Sequence, residues 1–321
     1  MPVQPLKAMA ALVISQSVSG PILYGAGLAV GVTMLVLSLT GLVDWLARVV
    51  PKSVVRGIQF GLGVQLATLA LKNYVQADGA RGYWLAGVAF MLMILFLGNR
   101  RYPAALFVIL LGVIYAFVFK LNIPTIVQGT GFSLPKLHIP AWSDVVTGFL
   151  VLALPQIPLS LSNSVLATNQ IAEDLFPERH LSVRQISLTY SLMNLINPFF
   201  SGIPTCHGSG GMVGHYGFGG RTGGSVIIYG LLYLTLGLFF RRGFDNVVGV
   251  FPLSILGVLL LFEGLSLMLL VSDMVHSKTD FSIVILVGLI AYGLPHGYAI
   301  ATVIGTMLAY LVRRYPIGLT K

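Results

Sequence analysis

Charged side chains make up only 9% of the 321 residues, and just ten of them are acidic. So little charge cannot solvate the surface of a water-soluble protein of this size, which argues against a soluble enzyme or a solvated interaction module. Cysteine occurs once, at Cys206. No intrachain disulfide can form, and no redox compartment follows. The chain has neither a phosphate-cradling G-x-x-x-x-G-K-[ST] loop nor a long polar stretch, which excludes nucleotide-driven work by this chain alone. The start, Met1-Pro2-Val3-Gln4-Pro5, lacks the basic segment of a secretory signal, so insertion is expected to rest on the hydrophobic spans themselves.

What is present is apolar: 56% of the residues are hydrophobic. At roughly 20 apolar residues per crossing, the chain has room for about ten to twelve membrane helices and no separate soluble domain. The expected class is an all-α polytopic membrane protein. Candidate spans are 24–43, 54–71, 83–98, 103–120, 145–170, 184–200, 225–240, 248–271, 281–294 and 297–312, with shorter half-helices at 5–16 and 207–217. The stretch 121–143 is the longest expected connection outside the membrane.

Cations fall in alternate loops: Arg48, Lys52 and Arg56; Arg100 and Arg101; Arg179 and Arg184; Arg221; Lys278; Arg313, Arg314 and Lys321. With these on the cytoplasmic face, Lys72, Arg81, Lys120, Lys136, Arg241 and Arg242 lie outside, which is the positive-inside pattern. The formal charge of +9 is therefore read as a topology signal and not as nucleic-acid binding. The same loops attract anionic headgroups of the lipid bilayer.

One polar interruption stands out: Pro204-Thr205-Cys206-His207-Gly208-Ser209-Gly210-Gly211. Non-helical backbone at membrane depth must be buried in protein or line a cavity. The chain from Met1 has the same layout: a proline-containing extended piece, a small-residue helix, a Ser/Gly loop (Ser17 to Gly20) and a long apolar span from Tyr24. An offset of about 202 residues aligns Pro2 with Pro204 and Gln4 with Cys206. This pattern predicts an inverted repeat, 1–125 and 140–321, with discontinuous helices at the site. The segment 144–202, long enough for two helices, precedes the second broken segment and has no counterpart before the first. The expectation is a first repeat lacking its first two helices, with a non-transporting fragment that needs a partner to supply them as a third reading beside transporter and enzyme.

Five segments resemble the molybdate transporter family, relatives of the sulfate permeases. They are Met1 to Ala8, Leu154-Pro155-Gln156-Ile157-Pro158-Leu159-Ser160-Leu161-Ser162-Asn163-Ser164, Pro204 to Gly211, Phe218-Gly219-Gly220-Arg221-Thr222-Gly223, and Leu256 to Leu265. The resemblance implies a seven-plus-seven inverted repeat with a core (1–45 plus 144–242) and a gate (52–120 plus 247–313). A tetrahedral oxyanion would lie between two half-helix N-termini. It further implies a multi-pass protein of the cell membrane that pairs through its gate domains, with no cofactor.

Candidate substrate-binding residues are Gln4, Lys7, Gln156, Ser160, Asn163, Thr205, Cys206, His207, Gly208, Ser209 and Gly210. Half-helices starting near Leu6 and His207 would aim unsatisfied N–H groups at one cavity, which favours a dianion. Glycines permit close backbone approach, although they also serve plain helix packing. Gln156, Ser160 and Asn163, with Ser164 beside them, share one helical face, where interhelical hydrogen bonding competes with ligand binding. Lys7 and Glu263 are expected to be the only charges well inside membrane elements. Lys7 faces the anion or snorkels, and Glu263 carries a proton or makes a structural hydrogen bond.

Secondary transport of molybdate, with sulfate and tungstate as competitors, is the leading expectation. A nucleobase carrier of the same fold is the first alternative, and a membrane-embedded enzyme using Cys206 and His207 the second. A zinc site would want four N or S ligands, and only His215 adds to that pair nearby. No metal site and no catalytic residue are expected.

Overall fold

The computed structural model of the chain describes residues 1–6, 9, 13, 18–99, 102–120, 130–240, 250–295 and 297–315. A strand β1 (Val3–Pro5) leads into α1 (Gly20–Leu39), α2 (Leu42–Val49), α3 (Lys52–Leu69), α4 (Gly79–Phe96) and α5 (Ala104–Phe119). Next come α6 (Trp142–Gly148), α7 (Leu154–Leu159) and α8 (Thr168–Leu175), joined by π-helical turns at Phe149–Ala153 and Ser160–Ala167. After α9 (Val183–Ile196) the chain breaks into β2 (Thr205–His207) and the short α10 (Ser209–Gly217). It continues through α11 (Gly223–Phe239), α12 (Leu253–Leu269), α13 (Lys278–Gly293) and α14 (Gly297–Arg314).

The two halves repeat this order at a spacing of about 200 residues. Strand, long helix, helix with an altered last turn and two further helices recur as β1, α1, α3, α4, α5 and as β2, α11, α12, α13, α14. The altered turns match as well: α3 ends in a π-helical turn at Ala70–Tyr74, and α12 in a 3-10 turn at Leu270–Met274. Of the second expected half-helix, 207–217, residues 209–217 are helical and the start is extended. Most of the first, 5–16, lies outside the described residues.

Among the described residues, four helical stretches are long and apolar enough to cross a membrane: Gly20–Leu39, Lys52–Tyr74, Gly79–Phe96 and Leu253–Met274. Their outward faces are apolar, as lipid contact requires, with Trp84 80% and Leu95 68% exposed.

The chain forms two compact units. The first comprises 1–62, 136–212 and 267–321; the second comprises 63–135 and 213–266. In the first, α1 packs closely on α6 and α9 because small residues line its path. A methyl group at Gly25 would overlap the Asp144 backbone, and one at Gly148 would overlap that of α1. Ser38 and Ser187 join α1 to α9 through a 2.6 Å hydroxyl pair. In the second unit, Leu85, Ala89 and Met93 of α4 meet Val108 of α5 and Ile255, Val258 and Phe262 of α12.

One charge departs from the loop assignment. Arg56 lies in the second turn of α3 at 2% exposure, so Lys7 and Glu263 are not the only charges inside the membrane elements. Its guanidinium pairs with Asp174 at 2.6 Å and with Asp273 at 2.6 Å, and donates to Gln59 at 3.0 Å. Gln59 in turn donates to the Ala167 carbonyl at 3.3 Å, in the π-helical turn before α8. A buried cation survives only when paired, and here two carboxylates and an amide satisfy it. Breaking a buried pair costs about 3 to 5 kcal/mol. Both carboxylates keep part of their surface open, so Arg56→Ala is expected to sit at the low end, about 3 kcal/mol. Thermal unfolding in detergent checks this, with Arg48→Ala as the exposed control.

Candidate functional site

Proline dictates the break at the centre of the first unit. Pro2, Pro5 and Pro204 cannot donate within a helix, and the residues before them are driven towards extended backbone. The two extended pieces satisfy each other as an antiparallel pair, Val3 against His207, Gln4 against Cys206 and Pro5 against Thr205. Leu6 N–H continues the ladder to the Pro204 carbonyl at 3.1 Å. The repeat offset also equates Gln4 with Cys206, so the pair that is both register partner and repeat equivalent marks the pseudo-two-fold axis of the repeat. The other edge of β2 is closed by a side chain. Asn194 accepts from Thr205 N–H at 3.0 Å and donates to the Thr205 carbonyl at 2.7 Å. Asn197 donates to the Thr205 hydroxyl at 3.0 Å. Backbone groups in this region are thus satisfied by protein, as a membrane interior demands.

The Gln4 side chain lies directly over Gly208, where a methyl group would overlap its amide, and its Nε2 sits 4.0 Å from the Cys206 sulfur. Cys206 is buried and not in a disulfide. Ser209 begins α10, fully buried, and its hydroxyl donates to Asn163 Oδ1 at 2.7 Å. Thr168 donates to the carbonyls of Asn163 and His207, at 3.1 and 3.2 Å, and so ties the π-helical turn to β2. Gln156, 2% exposed, donates from Nε2 to Ser160 Oγ at 3.2 Å, and Ser160 shares a 2.7 Å hydroxyl contact with Tyr190. The Gln156 Oε1 is buried with no partner among the described residues.

Gln4, Gln156, Ser160, Asn163, Thr205, Cys206, His207, Gly208, Ser209 and Gly210 all belong to the first unit, on β1, β2, the N-terminus of α10 and the segment running through α7. The His207 imidazole is engaged on both sides, with Thr189 Oγ1 at 2.9 Å and the Pro2 carbonyl at 3.5 Å. Successive side chains of a strand face opposite ways, so the Cys206 thiol and His207 ring are not arranged as nucleophile and base. Among the described residues, no group of three His, Cys, Asp or Glu could hold a metal ion. Glu263 lies in the second unit against Gly214. Lys7 lies outside the described residues.

Thr168, Tyr190, Asn194 and Asn197 were not among the sequence candidates. Asn194 and Asn197 stand at the end of α9, three residues apart and just before the break. That spacing was the available signal, since unpaired backbone at this depth needs side-chain amides nearby.

The profile of the family described as molybdate transporter of the MFS superfamily matches residues 1–66 and 148–267. Molybdate transporter 2 of Arabidopsis thaliana is 36% identical over 328 residues, 87% of this chain and 70% of its own length. Molybdate transporter 1 of the same plant is 35% identical over 358 residues, 96% of this chain and 76% of its own. Among solved structures, the transmembrane domain of the cyanobacterium bicarbonate transporter BicA superposes with a TM-score of 0.56 at 14% identity, covering 94% of this chain and 80% of that one. SLC26A9 gives a TM-score of 0.56 at 14% identity, covering 93% and 51%. The fold is therefore the all-α inverted-repeat fold of these multi-pass membrane transporters, and the sequence places it among transporters, not enzymes. The chain belongs to the molybdate transporter family.

Proposed function

We propose that this chain is a secondary transporter of a tetrahedral oxyanion, molybdate first. The anion would be held where β1 and β2 pair, against the N-terminus of α10, and carried by alternating access of the core (1–45 plus 144–242) against the gate (52–120 plus 247–313). The observation that carries this reading is the neutral, buried donor set around the break, with the Gln156 amide left half-unpaired. The two ends of an amide are distinguished only by their hydrogen bonds. Turned over, Gln156 accepts from Ser160, Ser160 accepts from Tyr190, and the Gln156 N–H groups become free for an anion. The positive end of α10, which begins at Ser209, favours an anion in the same place.

Neutral donors also suit release, because a fixed ion pair would hold a dianion too firmly. Cys206 enters as a weak thiol donor beside Gln4, while Thr205 and His207 act by holding β2 in place. Lys7 is kept as a cationic neighbour of the anion on sequence grounds alone. Sulfate and tungstate share the charge and shape of molybdate, so competition between them is expected. The family's transporter membership disfavours the enzyme reading, and the absence of a carboxylate among the site residues of the first unit disfavours a nucleobase carrier. Pairing of two copies through the gate and residence in the cell membrane belong to the same proposal.

Uptake of labelled molybdate into proteoliposomes tests it. Saturable uptake, accelerated by molybdate loaded inside, is expected; flux linear in concentration with measurable conductance would indicate a channel. Glu263 is the proposed coupling carboxyl, lying against α10 at Gly214. Glu263→Gln is expected to flatten the pH dependence of uptake. An unchanged profile would leave Glu263 a structural role only.

A further inference from the structure

A cavity of about 480 Å³ opens within the second unit where the end of α4, the turn before α5, the end of α10 and α12 converge. Its walls include Phe96, Asn99, Pro103, Phe218, Arg221 and Phe262, none of them part of the candidate substrate site. Gly217, at the end of α10, lines this cavity.

Three features share one ligand chemistry. The Arg221 guanidinium stands over the Tyr216 ring at 4.4 Å, and its buried Nε–H has no hydrogen-bond acceptor among the described residues. A buried donor on a cation is stabilised by an anionic acceptor, and arginine's fork suits a phosphate-type oxyanion. The sixteen-residue α5 begins at this cavity, through Pro103 and Ala104, without a side-chain cap. Its positive end adds to the same preference. The remaining walls are apolar, and Leu97 at the rim and Leu106 one helical turn into α5 are each 61% exposed. Charge and apolar surface lie side by side, as an amphiphile with an anionic head requires. The loops that meet here, around Asn99 and Arg221, were both assigned from sequence to the cation-rich membrane face, and the fold brings them to one cavity.

We infer that this cavity binds a phosphate-type oxyanion group through Arg221 and the start of α5. The group arrives either on the headgroup of an acidic phospholipid or as the free ion. The site is independent of the proposed substrate site, and its test separates the two.

Equilibrium binding to the purified full chain in uncharged detergent would be measured with inorganic phosphate and with dihexanoyl phosphatidic acid. At least tenfold weaker binding is expected in Arg221→Gln. The same loss is expected in Ala104→Leu, which fills the cavity without changing charge and keeps the test open if Arg221→Gln does not fold. Arg48→Ala, which removes an exposed cation elsewhere, should bind like wild type, whereas Gln156→Ala reports any phosphate held at the substrate site. Comparable affinity for both probes identifies the free ion as sufficient; binding of the short lipid alone identifies the headgroup. Equal binding by wild type and both cavity variants, loss confined to Gln156→Ala, or no saturable binding of either probe overturns the inference.

Discussion

Replacing Gln156 with alanine is expected to weaken molybdate binding by about 1.5 to 3 kcal/mol, roughly a tenfold to 150-fold rise in Kd, with little change in unfolding temperature. The amide is buried and only one of its ends is engaged, by Ser160. Truncation therefore removes one internal hydrogen bond and every contact the free end makes with the anion. Ser160→Ala should show a smaller version of the same loss, because it frees the Gln156 amide to rotate and leaves the Tyr190 hydroxyl without its partner. Titration calorimetry reads both. If Gln156→Ala bound as wild type does while Ser160→Ala did not, the anion would contact the hydroxyl network and not the amide.

The second large effect is expected at Gly208. Any side chain there meets the Gln4 amide, which is the flexible end of its side chain and can swing away. Gly208→Ala should therefore fold yet lose as much affinity as Gln4→Ala, about 1 to 3 kcal/mol if one buried donor is withdrawn. The double variant should lose no more than either single one, since both remove the same group from the same place. Additive losses would mean that Gly208 acts by its own backbone approach to the anion, separately from Gln4. Gly211, where a methyl group would stand 3.5 Å from Gln4 Oε1, offers a milder control: Gly211→Ala should be close to neutral.

Helices and their interruptions were legible because composition alone encodes them. The expected span 103–120 is α5 at Ala104–Phe119, and 281–294 is α13 at Lys278–Gly293. Prolines 2, 5 and 204 announced the extended pieces, and the 202-residue offset named Gln4 and Cys206, which the fold places opposite each other. What composition does not encode is partnership over distance. Arg56 sits four residues from Lys52 at the edge of an apolar run, so it read as one more loop cation. Its carboxylates, Asp174 and Asp273, lie more than a hundred residues further on, and only the fold brings them to it. The π-helical turns were equally silent. Ser160 to Ala167 has no glycine or proline to mark a change of turn, and Thr168 and Ser209 both hydrogen-bond to Asn163 within the widened segment. Thr205 and His207 were chosen as ligands from residue type, yet their side chains are committed to Asn197, Thr189 and Pro2. Residue type selects candidates, and the hydrogen-bond network shows which of their side chains already have partners.

Calorimetric titration of the purified chain with molybdate, repeated in excess sulfate and with Gln156→Ala, tests the central claim most directly. Saturable binding that sulfate displaces and Gln156→Ala weakens at least tenfold is the predicted result. Saturable binding that Gln156→Ala, Gln4→Ala and Gly208→Ala all leave untouched would contradict it and move the anion away from the paired strands.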